Sequence, residues 1–497
     1  MSIARQFRIA SLSLLTLLPC SPPTVIALQQ DEPRPAVESV DPQTLVQIIA
    51  ELRTIVTSEM EQKRIPSLSI ALVDGDRIVW SEGFGTARED EGIRATNETI
   101  YRVGSISKLL TDLQVMRWVE AGKLDLDADV STYLPDFRPE NPFPEKITLR
   151  QLMSHRSGLV RESPVGNYFD PDGPTIAASV ESLNRTSLVY APGTRTKYSN
   201  AAIAVVGAVL ERVSGESFET LIERELLQPL GMRTAFWRPQ ADLQSRTAQG
   251  WMFSHDGQRF IAPEFVLGTL PAGNLYASVD DLGRFLIAIC NQGEIEGTRV
   301  LGAELLESML RPVDENDSRS FGIGFHLSDF RGARSFGHGG AVYGFATQVR
   351  GLPEERLAVA AVAGLDGANG VVSRIADHAL GRMLAAKRGE SAPEYVLTDT
   401  VPVERARQLE GSFLADNGDS IELDERSGRL TLREGSQLSE LRQEGSLLII
   451  DDVFSYGPEL TIDSLDQLEW RGVKYLSLIH ISEPTRLRRI SYAVFCL

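Results

Sequence analysis

The chain has 497 residues, of which 42% are hydrophobic and 24% charged, and its formal net charge is −18. A chain of this length can bury one large core and a second, smaller one, and its composition is that of a globular protein rather than a disordered one. The strong negative charge argues against nucleic acid or an anionic membrane surface as the main partner.

The first residues have the pattern of a secretory signal peptide. Arg5 and Arg8 lead into a short apolar run, residues 9–18, which cannot span a bilayer. Ala27 then ends a small-residue cleavage pattern. We therefore expect residues 1–27 to be removed and the mature protein to be exported, either to the periplasm or out of the cell. No other stretch is long and apolar enough to predict a transmembrane helix.

The cysteines are few and do not predict a disulfide framework. Cys20 falls in the signal, which leaves Cys290 and Cys496. Cys20 also offers a second interpretation, lipid attachment to a new N-terminal cysteine. Pro19 disfavours it, because a small flexible residue is usual at that position. Cys290 ends an apolar run and is expected to be a buried, unreactive side chain.

The next elements suggest one sheet built from both ends of a large region. Apolar residues recur at helical spacing in a segment that ends before Pro66, and two β-rich runs with an Asp-Gly-Asp turn between them follow it. Much later, a second hairpin precedes another helix. We predict one antiparallel sheet with the helices packed on it. The predicted elements are a helix at 41–64, strands at 67–73, 77–81, 346–350 and 357–363, and a helix at 371–386.

Between the two hairpins the pattern is mostly helical, which predicts an all-α subdomain. The fold class is therefore expected to be α+β, with an antiparallel sheet flanked by helices beside that subdomain, the whole spanning residues 41–388. The predicted helices are 108–120, which Gly122 ends, 201–213, 218–227, 282–291 and 303–310.

The C-terminal part has a different pattern. Residues 389–404 are polar and contain prolines, which indicates a linker. Short alternating runs separated by turn residues follow, so residues 405–476 are expected to form a small β domain, a barrel or a sandwich. The predicted strands are 420–423, 429–432, 447–450 and 467–470.

The last segment, residues 477–497, resembles the translation of a sequencing adapter appended to a truncated gene. Arg486, Arg488 and Arg489 crowd together in a chain that is otherwise acidic. The alternative is a native final strand. We treat the segment as non-native and leave it out of the fold prediction.

The motif with the most chemical content is Ser105-Ile106-Ser107-Lys108. A serine and a lysine three residues apart lie on one face of a helix, so the amine can reach the hydroxyl. Ser105 is therefore the candidate nucleophile and Lys108 the candidate base. The alternative is a helix-capping serine and a solvated lysine, but the apolar residues that follow indicate a buried helix.

Tyr198 and Asn200 form a second candidate pair. Two residues apart on an extended segment, their side chains point the same way. Tyr198 could carry a proton between the serine and a leaving group, and Asn200 could hold the amide on the acyl side of the substrate. Alternatively, Ser199 or Asn200 simply caps the helix that follows.

The third segment is His338-Gly339-Gly340, which we expect to precede a strand. Its glycines let a ligand approach the backbone closely. The N–H of Ala341 is a candidate oxyanion donor together with the N–H of Ser105. His338 could bind the tyrosine or a substrate carboxylate, and Gly340 would line the binding site. The alternative is a glycine-rich turn with a surface histidine.

These residues and the segments around them resemble the serine β-lactamase and penicillin-binding-protein-like hydrolases. The segments are Tyr-Arg-Val-Gly-Ser-Ile-Ser-Lys at 101–108, Gln-Leu-Met-Ser-His-Arg-Ser-Gly-Leu at 151–159 and Gly-His-Gly-Gly at 337–340. The branch includes class C β-lactamases, D-alanyl-D-alanine carboxypeptidases, D-aminopeptidases and esterases. The resemblance covers about 41–388. It implies an acyl-serine intermediate, no metal, no cofactor, and a peptide, ester or peptidoglycan fragment as substrate. The C-terminal domain resembles a lipocalin-like barrel, which the resemblance implies is truncated.

One departure and three rival interpretations bear on function. Class C β-lactamases carry Lys-Thr-Gly where this chain has His338-Gly-Gly, which favours a peptidase or esterase over a β-lactamase. A lipase-type α/β-hydrolase needs a Gly-x-Ser-x-Gly motif, which the sequence does not contain. A zinc hydrolase needs closely spaced histidines, and the six histidines do not have that spacing. A non-catalytic peptidoglycan-binding or scaffold protein remains the alternative of another class. The presence of Ser105, Lys108 and Tyr198 together disfavours it.

Overall fold

The computed structural model of the chain describes residues 38–254, 257–314, 316 and 321–478. The predicted signal peptide, with Cys20, lies outside these residues, as does the predicted tail from residue 479 onward. In the described part of the chain, no helix combines the length and the apolar character needed to cross a membrane.

The helices of the described residues include three 3₁₀ segments (Val130–Thr132, Leu183–Arg185 and Ala241–Arg246) and one π-helical segment, Glu223–Leu227. The α-helices in chain order are α1 Pro42–Lys63, α2 Ser107–Glu120, α3 Leu149–Met153, α4 Ile176–Ser182, α5 Asn200–Ser214, α6 Phe218–Ile222, α7 Gln228–Leu230, α8 Leu270–Gly273, α9 Val279–Cys290, α10 Ala303–Met309, α11 Asn369–Arg388 and α12 Val403–Gln408.

The strands of the described residues fall into one large sheet, one barrel and three short pairs. In chain order they are β1 Ser67–Asp74, β2 Arg77–Arg88, β3 Ile93–Arg94, β4 Tyr101–Gly104, β5 Trp251–Phe253, β6 Arg259–Ile261, β7 Leu275–Ala277, β8 Glu294–Ile295, β9 Thr298–Arg299, β10 His326–Phe330, β11 Ala333–Val342, β12 Phe345–Leu352, β13 Leu357–Ala363, β14 Asp399–Thr400, β15 Gly411–Ala415, β16 Ser420–Arg426, β17 Arg429–Glu434, β18 Gln437–Glu444, β19 Leu447–Asp451, β20 Tyr456–Ser464, β21 Gln467–Trp470 and β22 Val473–Ser477.

The large sheet joins the two ends of the predicted α+β region. Its strand order is β10-β11-β12-β13-β1-β2-β3, and its neighbours are antiparallel. β1 pairs with β13 from Leu68 opposite Ala363 to Asp74 opposite Leu357. The shared antiparallel sheet predicted from the two hairpins is therefore confirmed.

Both faces of this sheet are covered, which explains why every residue of β1 is buried. Because side chains alternate along a strand, Leu68 and Ile70 contact the apolar cluster that includes α1 and α11. Ala71 and Val73 face the opposite cluster, which includes α2, α5 and α9. The helical region lies on that second face. Its two long helices, α2 and α5, are buried over most of their length.

Two local predictions are corrected by the structure. The predicted helix 218–227 is α6 followed by a π-helical turn and α7. Pro229 has no N–H to donate to the Glu225 carbonyl, and Arg117 donates to that carbonyl instead. The His338-Gly339-Gly340 segment was expected to precede a strand but lies inside β11. Of its two glycines, Gly340 serves close packing against β4.

Eight strands, β15 to β22, close into a C-terminal barrel because β15 pairs with β22 and β18 pairs with β19. The sequence pattern predicted β16, β17, β19 and β21 and missed the others. β18 was missed because its strand is mostly polar and buries Arg442. The predicted linker is largely irregular, but it contains β14, which pairs with β18, and the start of α12.

A buried ion cluster joins the barrel to α1 and α11. Lys63 donates to the Glu59 carboxylate and, at 2.7 Å, to the Asp451 carboxylate of the barrel. Arg374 of α11 lies 3.3 Å from carboxylate oxygens of both acids. Thr398, in the predicted linker, donates to Asp451 at 2.6 Å. The barrel is thus held by charged contacts with two helices of the sheet.

Candidate active site

Ser105 lies in a tight turn between the end of β4 and the start of α2. The Lys108 N–H donates to the Ser105 carbonyl at 3.1 Å. Ser107 Oγ donates to the Gly104 carbonyl at 2.6 Å and accepts the Leu275 N–H at 3.0 Å. These bonds hold the turn, so Ser105 Oγ is presented at the edge of α2 rather than within it.

Lys108 is fully buried beside this serine. Its Nζ lies 3.0 Å from Ser105 Oγ and 2.6 Å from the Ala272 carbonyl oxygen. Burial lowers the pKa of Lys108 to about 7, against the opposing effect of the Glu162 and Asp112 carboxyl groups. At neutral pH a large fraction of the side chain is therefore an uncharged amine, which can accept a proton.

Tyr198 brings a second proton-carrying group to the same oxygen. Its hydroxyl donates to Ser105 Oγ at 2.8 Å, and Lys108 Nζ lies 4.9 Å from the centre of its ring. Burial raises the pKa of Tyr198 above its ordinary value, so the phenol keeps its proton at neutral pH. The structure brings together the three residues predicted as catalytic, Ser105, Lys108 and Tyr198.

His155 supports Tyr198 and was given no role by the sequence analysis. Its ring centre lies 4.3 Å from that of Tyr198, and its Nδ1 accepts the Ser199 N–H at 3.3 Å. Burial lowers the pKa of His155, so the imidazole beside Tyr198 is neutral. Its backbone has a φ of 59°, which is uncommon outside glycine. The sequence signal for this residue was its place in the 151–159 motif.

Asn200 lies at the start of α5, whose cap is Ser199. Its amide N–H donates to Glu162 Oε1 at 2.6 Å, and its Oδ1 is buried without a partner in the described residues. Glu162 therefore orients the amide so that its oxygen is free to accept a hydrogen bond. The sequence analysis did not identify Glu162, and no local motif marks it.

The β11 strand forms the opposite wall of the cleft. A side chain at Gly340 would come within 2.2 Å of the Val103 carbonyl, so only glycine allows this close approach to β4. Asn369 donates to the Gly340 carbonyl at 2.8 Å and fixes the strand. Ala341, the candidate oxyanion donor, lines the cleft together with Ser105.

His338 also lies on this wall. Its Nδ1 is 2.6 Å from the Gly339 carbonyl, which makes Nδ1 the protonated nitrogen. Its Nε2 is buried and has no partner in the described residues, and its ring centre lies 6.0 Å from that of Tyr198. The predicted hydrogen bond to the tyrosine is therefore not formed. Burial lowers the pKa of His338 to about 4, so the ring is neutral at physiological pH.

The residues surround an open cleft of about 760 Å³. Its walls include Ser105, Tyr198, Asn200, His338 and Ala341, which the sequence predicted, and Lys108 lies behind them. A nucleophile with two proton-transfer groups in an open cleft can form and break an acyl bond. Within the described part of the chain, no three His, Cys, Asp or Glu side chains are grouped as metal ligands.

Comparison with known proteins agrees with this arrangement. The sequence profile of the family described as Beta-lactamase matches residues 52–380, more than half of the chain. The chain belongs to the Beta-lactamase family. Members of this family include serine hydrolases. The matched region contains the α+β fold and the three motif segments.

Three relatives show the range of this similarity. Beta-lactamase-like protein 2 of Dictyostelium discoideum is 29% identical over 299 residues, which is 59% of this chain and 52% of that protein. Teichoic acid D-alanine hydrolase of Staphylococcus aureus is 27% identical over 222 residues, 44% of this chain and 53% of that protein. The chain thus spans about half the length of these curated relatives.

The third is a solved structure, the octameric penicillin-binding protein homologue from Pyrococcus abyssi. It superposes with a TM-score of 0.64 at 24% identity and covers 86% of this chain and 100% of its own. The covered share is larger than the matched family region alone, so the likeness in fold extends beyond the sheet and helices. At this identity the likeness concerns the fold only.

Proposed function

We propose that the protein is an exported serine hydrolase that cleaves an amide or ester through an acyl-serine intermediate. One observation carries this proposal. Ser105 Oγ lies 3.0 Å from the Lys108 amine and 2.8 Å from the Tyr198 hydroxyl, in an open cleft. The exported location rests on the N-terminal sequence alone.

Acylation begins when the neutral Lys108 amine takes the Ser105 proton, with Tyr198 able to relay it. Ser105 Oγ then attacks the substrate carbonyl carbon, and the carbonyl oxygen becomes an oxyanion. The N–H groups of Ser105 and Ala341 are the proposed donors to that oxyanion. When the intermediate collapses, the leaving amine or alcohol receives a proton from Tyr198, which Lys108 replaces, and the acyl group stays on Ser105.

Deacylation reverses these proton transfers. A water molecule gives a proton to the Tyr198 and Lys108 pair as its oxygen attacks the acyl carbon. The Ser105 oxygen leaves and regains a proton, and a carboxylic acid is released. Lys108 ends in its starting state, so the cycle needs no further reactant.

The cleft favours a peptide of D-amino-acid type or an ester as substrate. Asn200 Oδ1 is buried without a partner and is suited to accept an amide N–H of the substrate. A relative named Teichoic acid D-alanine hydrolase supports a D-alanine-bearing substrate. β-Lactam hydrolysis is less favoured, because His338-Gly339-Gly340 lacks the lysine and the hydroxyl of the Lys-Thr-Gly segment that class C β-lactamases carry at this place.

The test is hydrolysis of three chromogenic substrates by the purified protein and by Ser105→Ala. The substrates are a short-chain p-nitrophenyl ester, D-alanine p-nitroanilide and nitrocefin. We expect turnover of the ester or the anilide, a loss of roughly 10³-fold or more in the variant, and a change in unfolding free energy within about 1 kcal/mol. Turnover that survives in Ser105→Ala would contradict the proposal. No turnover by the folded parent protein would favour a binding protein.

A further inference from the structure

A second cavity of about 490 Å³ adjoins the catalytic cleft. Tyr343, in the turn after β11, lines both spaces. We call this second space the Arg102 pocket. Its lining includes Arg102, Phe236, Gln249, Tyr276, Tyr343 and Phe345. Phe236 and Tyr276 stack with ring centres 4.8 Å apart and form an aromatic wall.

Arg102 is the unusual group in this pocket. It lies on β4 opposite Tyr276 of β7 and is 3% exposed. Because side chains alternate on a strand, Tyr101 turns into the core and hydrogen-bonds to Ser69 at 2.9 Å, while Arg102 turns toward the pocket.

The Arg102 guanidinium has few partners. In the described residues, its Nε has no hydrogen-bond partner and its Nη2 reaches only the Asn274 side-chain oxygen at 3.5 Å. The guanidinium carbon lies 5.7 Å from the Tyr276 ring centre. Burying a guanidinium that no carboxylate pairs with costs free energy, so this geometry suits the binding of an anionic ligand.

The other polar groups of the pocket are already engaged or also lack a partner. Arg88 pairs with Glu91 at 2.6 Å, and Glu264 accepts the Tyr276 hydroxyl at 3.0 Å. Gln249 has a buried side-chain oxygen without a partner in the described residues. Arg102 is therefore the positive group available to a ligand, whereas the Gln249 oxygen can only accept a hydrogen bond and could not bind a carboxylate.

The catalytic cleft follows β11 from His338 to Tyr343, the residue that also lines the Arg102 pocket. Tyr198, the proposed donor to the leaving group, lies near His338, with ring centres 6.0 Å apart. The strand then advances about 3.3 Å per residue toward Tyr343 at the far end of the cleft. A substrate that extends from Ser105 along this strand reaches Tyr343 and the entrance to the Arg102 pocket.

Arg102 is also close to Ser105. They are three positions apart along the chain, so their Cα atoms are at most about 11 Å apart. Burial raises the pKa of Tyr168, in the cleft, to about 12, and the charge of Arg102 acts on it in the opposite direction. The guanidinium is therefore within electrostatic range of the catalytic cleft.

We propose that the Arg102 pocket binds a free carboxylate at the end of the acyl chain of a substrate whose scissile carbonyl lies at Ser105. A planar guanidinium between aromatic walls suits a planar carboxylate, which accepts two parallel hydrogen bonds. The proposal rests on the hydrolase function proposed above and adds a substrate class, dicarboxylic half-esters or half-amides.

The test compares p-nitrophenyl esters of matched chain length, the half-esters of adipic and suberic acid against the hexanoyl and octanoyl esters. We expect the protein to prefer a carboxylate-bearing ester by about tenfold or more in kcat/KM. Arg102→Gln should remove that preference, and Arg102→Lys should keep part of it because the cation remains. The neutral esters report on the Ser105 machinery in every variant.

The parent protein alone can overturn this proposal, even if the Arg102 variants do not fold. Turnover of the neutral esters without preference for either half-ester would refute the pocket's role and leave the hydrolase function intact. No serine-dependent turnover of any ester would refute both. Free adipate that binds Ser105→Ala in a calorimeter while substrate preference is absent would show a separate ligand site, which also contradicts the proposal.

Discussion

Two lysines in this molecule are buried to almost the same degree but have different surroundings. Lys108 is 0% exposed and Lys63 is 3% exposed. Lys63 donates to the carboxylates of Glu59 and Asp451. Lys108 contacts the Ser105 hydroxyl and the Ala272 carbonyl, and no described carboxylate pairs with it.

The difference lies in the partners rather than in the burial. An amine that pairs with carboxylates in the interior acts as the cation of a structural cluster. An amine buried among neutral oxygens has no such compensation, so burial lowers the pKa of Lys108 to about 7 and makes it available as a base. Four predictions test this division, from the largest expected effect to the smallest.

Lys108→Met removes the proposed base. We expect kcat/KM for a p-nitrophenyl ester to fall by roughly 10²–10⁴-fold, the usual contribution of a positioned proton-transfer group. Stability should stay the same or rise, because a buried amine without a carboxylate partner is replaced by an apolar side chain of similar length. Urea unfolding measures the second part. An active Lys108→Met protein would contradict the assignment.

Lys63→Met should lower the stability of the protein and leave its activity unchanged. Its removal leaves Glu59 and Asp451 with Arg374 as their remaining cation, so we expect the free energy of unfolding to fall by about 3–5 kcal/mol. Activity per folded molecule should persist. Lys146→Met is the matched control, because Lys146 is 73% exposed and its pair with Asp129 is long, at 3.5 Å. That variant should change stability by less than about 0.5 kcal/mol.

The pH profile should report Lys108. Below its pKa of about 7 the amine is protonated and cannot accept the serine proton, so kcat/KM should fall about tenfold per pH unit in the acid limb and level off above it. Glu162 raises that pKa, so Glu162→Gln should move the limb to lower pH, and the exposed, remote Glu304→Gln should not. If the acid limb of the kcat/KM profile does not move in Glu162→Gln, Lys108 is not the titrating group.

Tyr395→Phe should have the smallest effect. It tests whether the ion cluster around Lys63 contributes to stability alone. The Tyr395 hydroxyl donates to Glu59 at 2.9 Å, next to Lys63. We expect a loss of about 1.5–3 kcal/mol in unfolding free energy, the range for a hydrogen bond to a charged group. Ester hydrolysis by the folded variant should be unchanged. A large fall in kcat/KM would show that the ion cluster also supports the cleft.

The sequence predicted the parts of the site that depend on short spacing. Ser105 and Lys108 are joined by one turn of chain, so their contact needed no knowledge of the fold. The sheet was predicted because each hairpin carries its own turn signal, and the helices beside it carry their own periodicity. The roles of the site residues stay predictions for the experiments above.

The errors and omissions share one cause. His338-Gly339-Gly340 was expected to precede a strand, but it lies inside β11, because β4 lies so close to Gly340 that only a glycine fits there. His155 and Glu162 were given no role, because each acts through a residue about 40 positions away. β18 was missed because its mostly polar sequence, which includes the buried Arg442, lacks the alternating pattern of a strand. Arg442 can be buried because it pairs with groups outside the barrel, including Gln62 of α1.

The amino-acid sequence by itself determined the helices and hairpins, the family and the chemical groups at the site, because these depend on neighbours along the chain. Tertiary structure alone decided which buried lysine is a base and which is a structural cation. It also placed Arg102 in a pocket beside the cleft. Both outcomes depend on burial and on charges from distant segments, and a side chain acquires its electrostatic surroundings only when those segments pack around it.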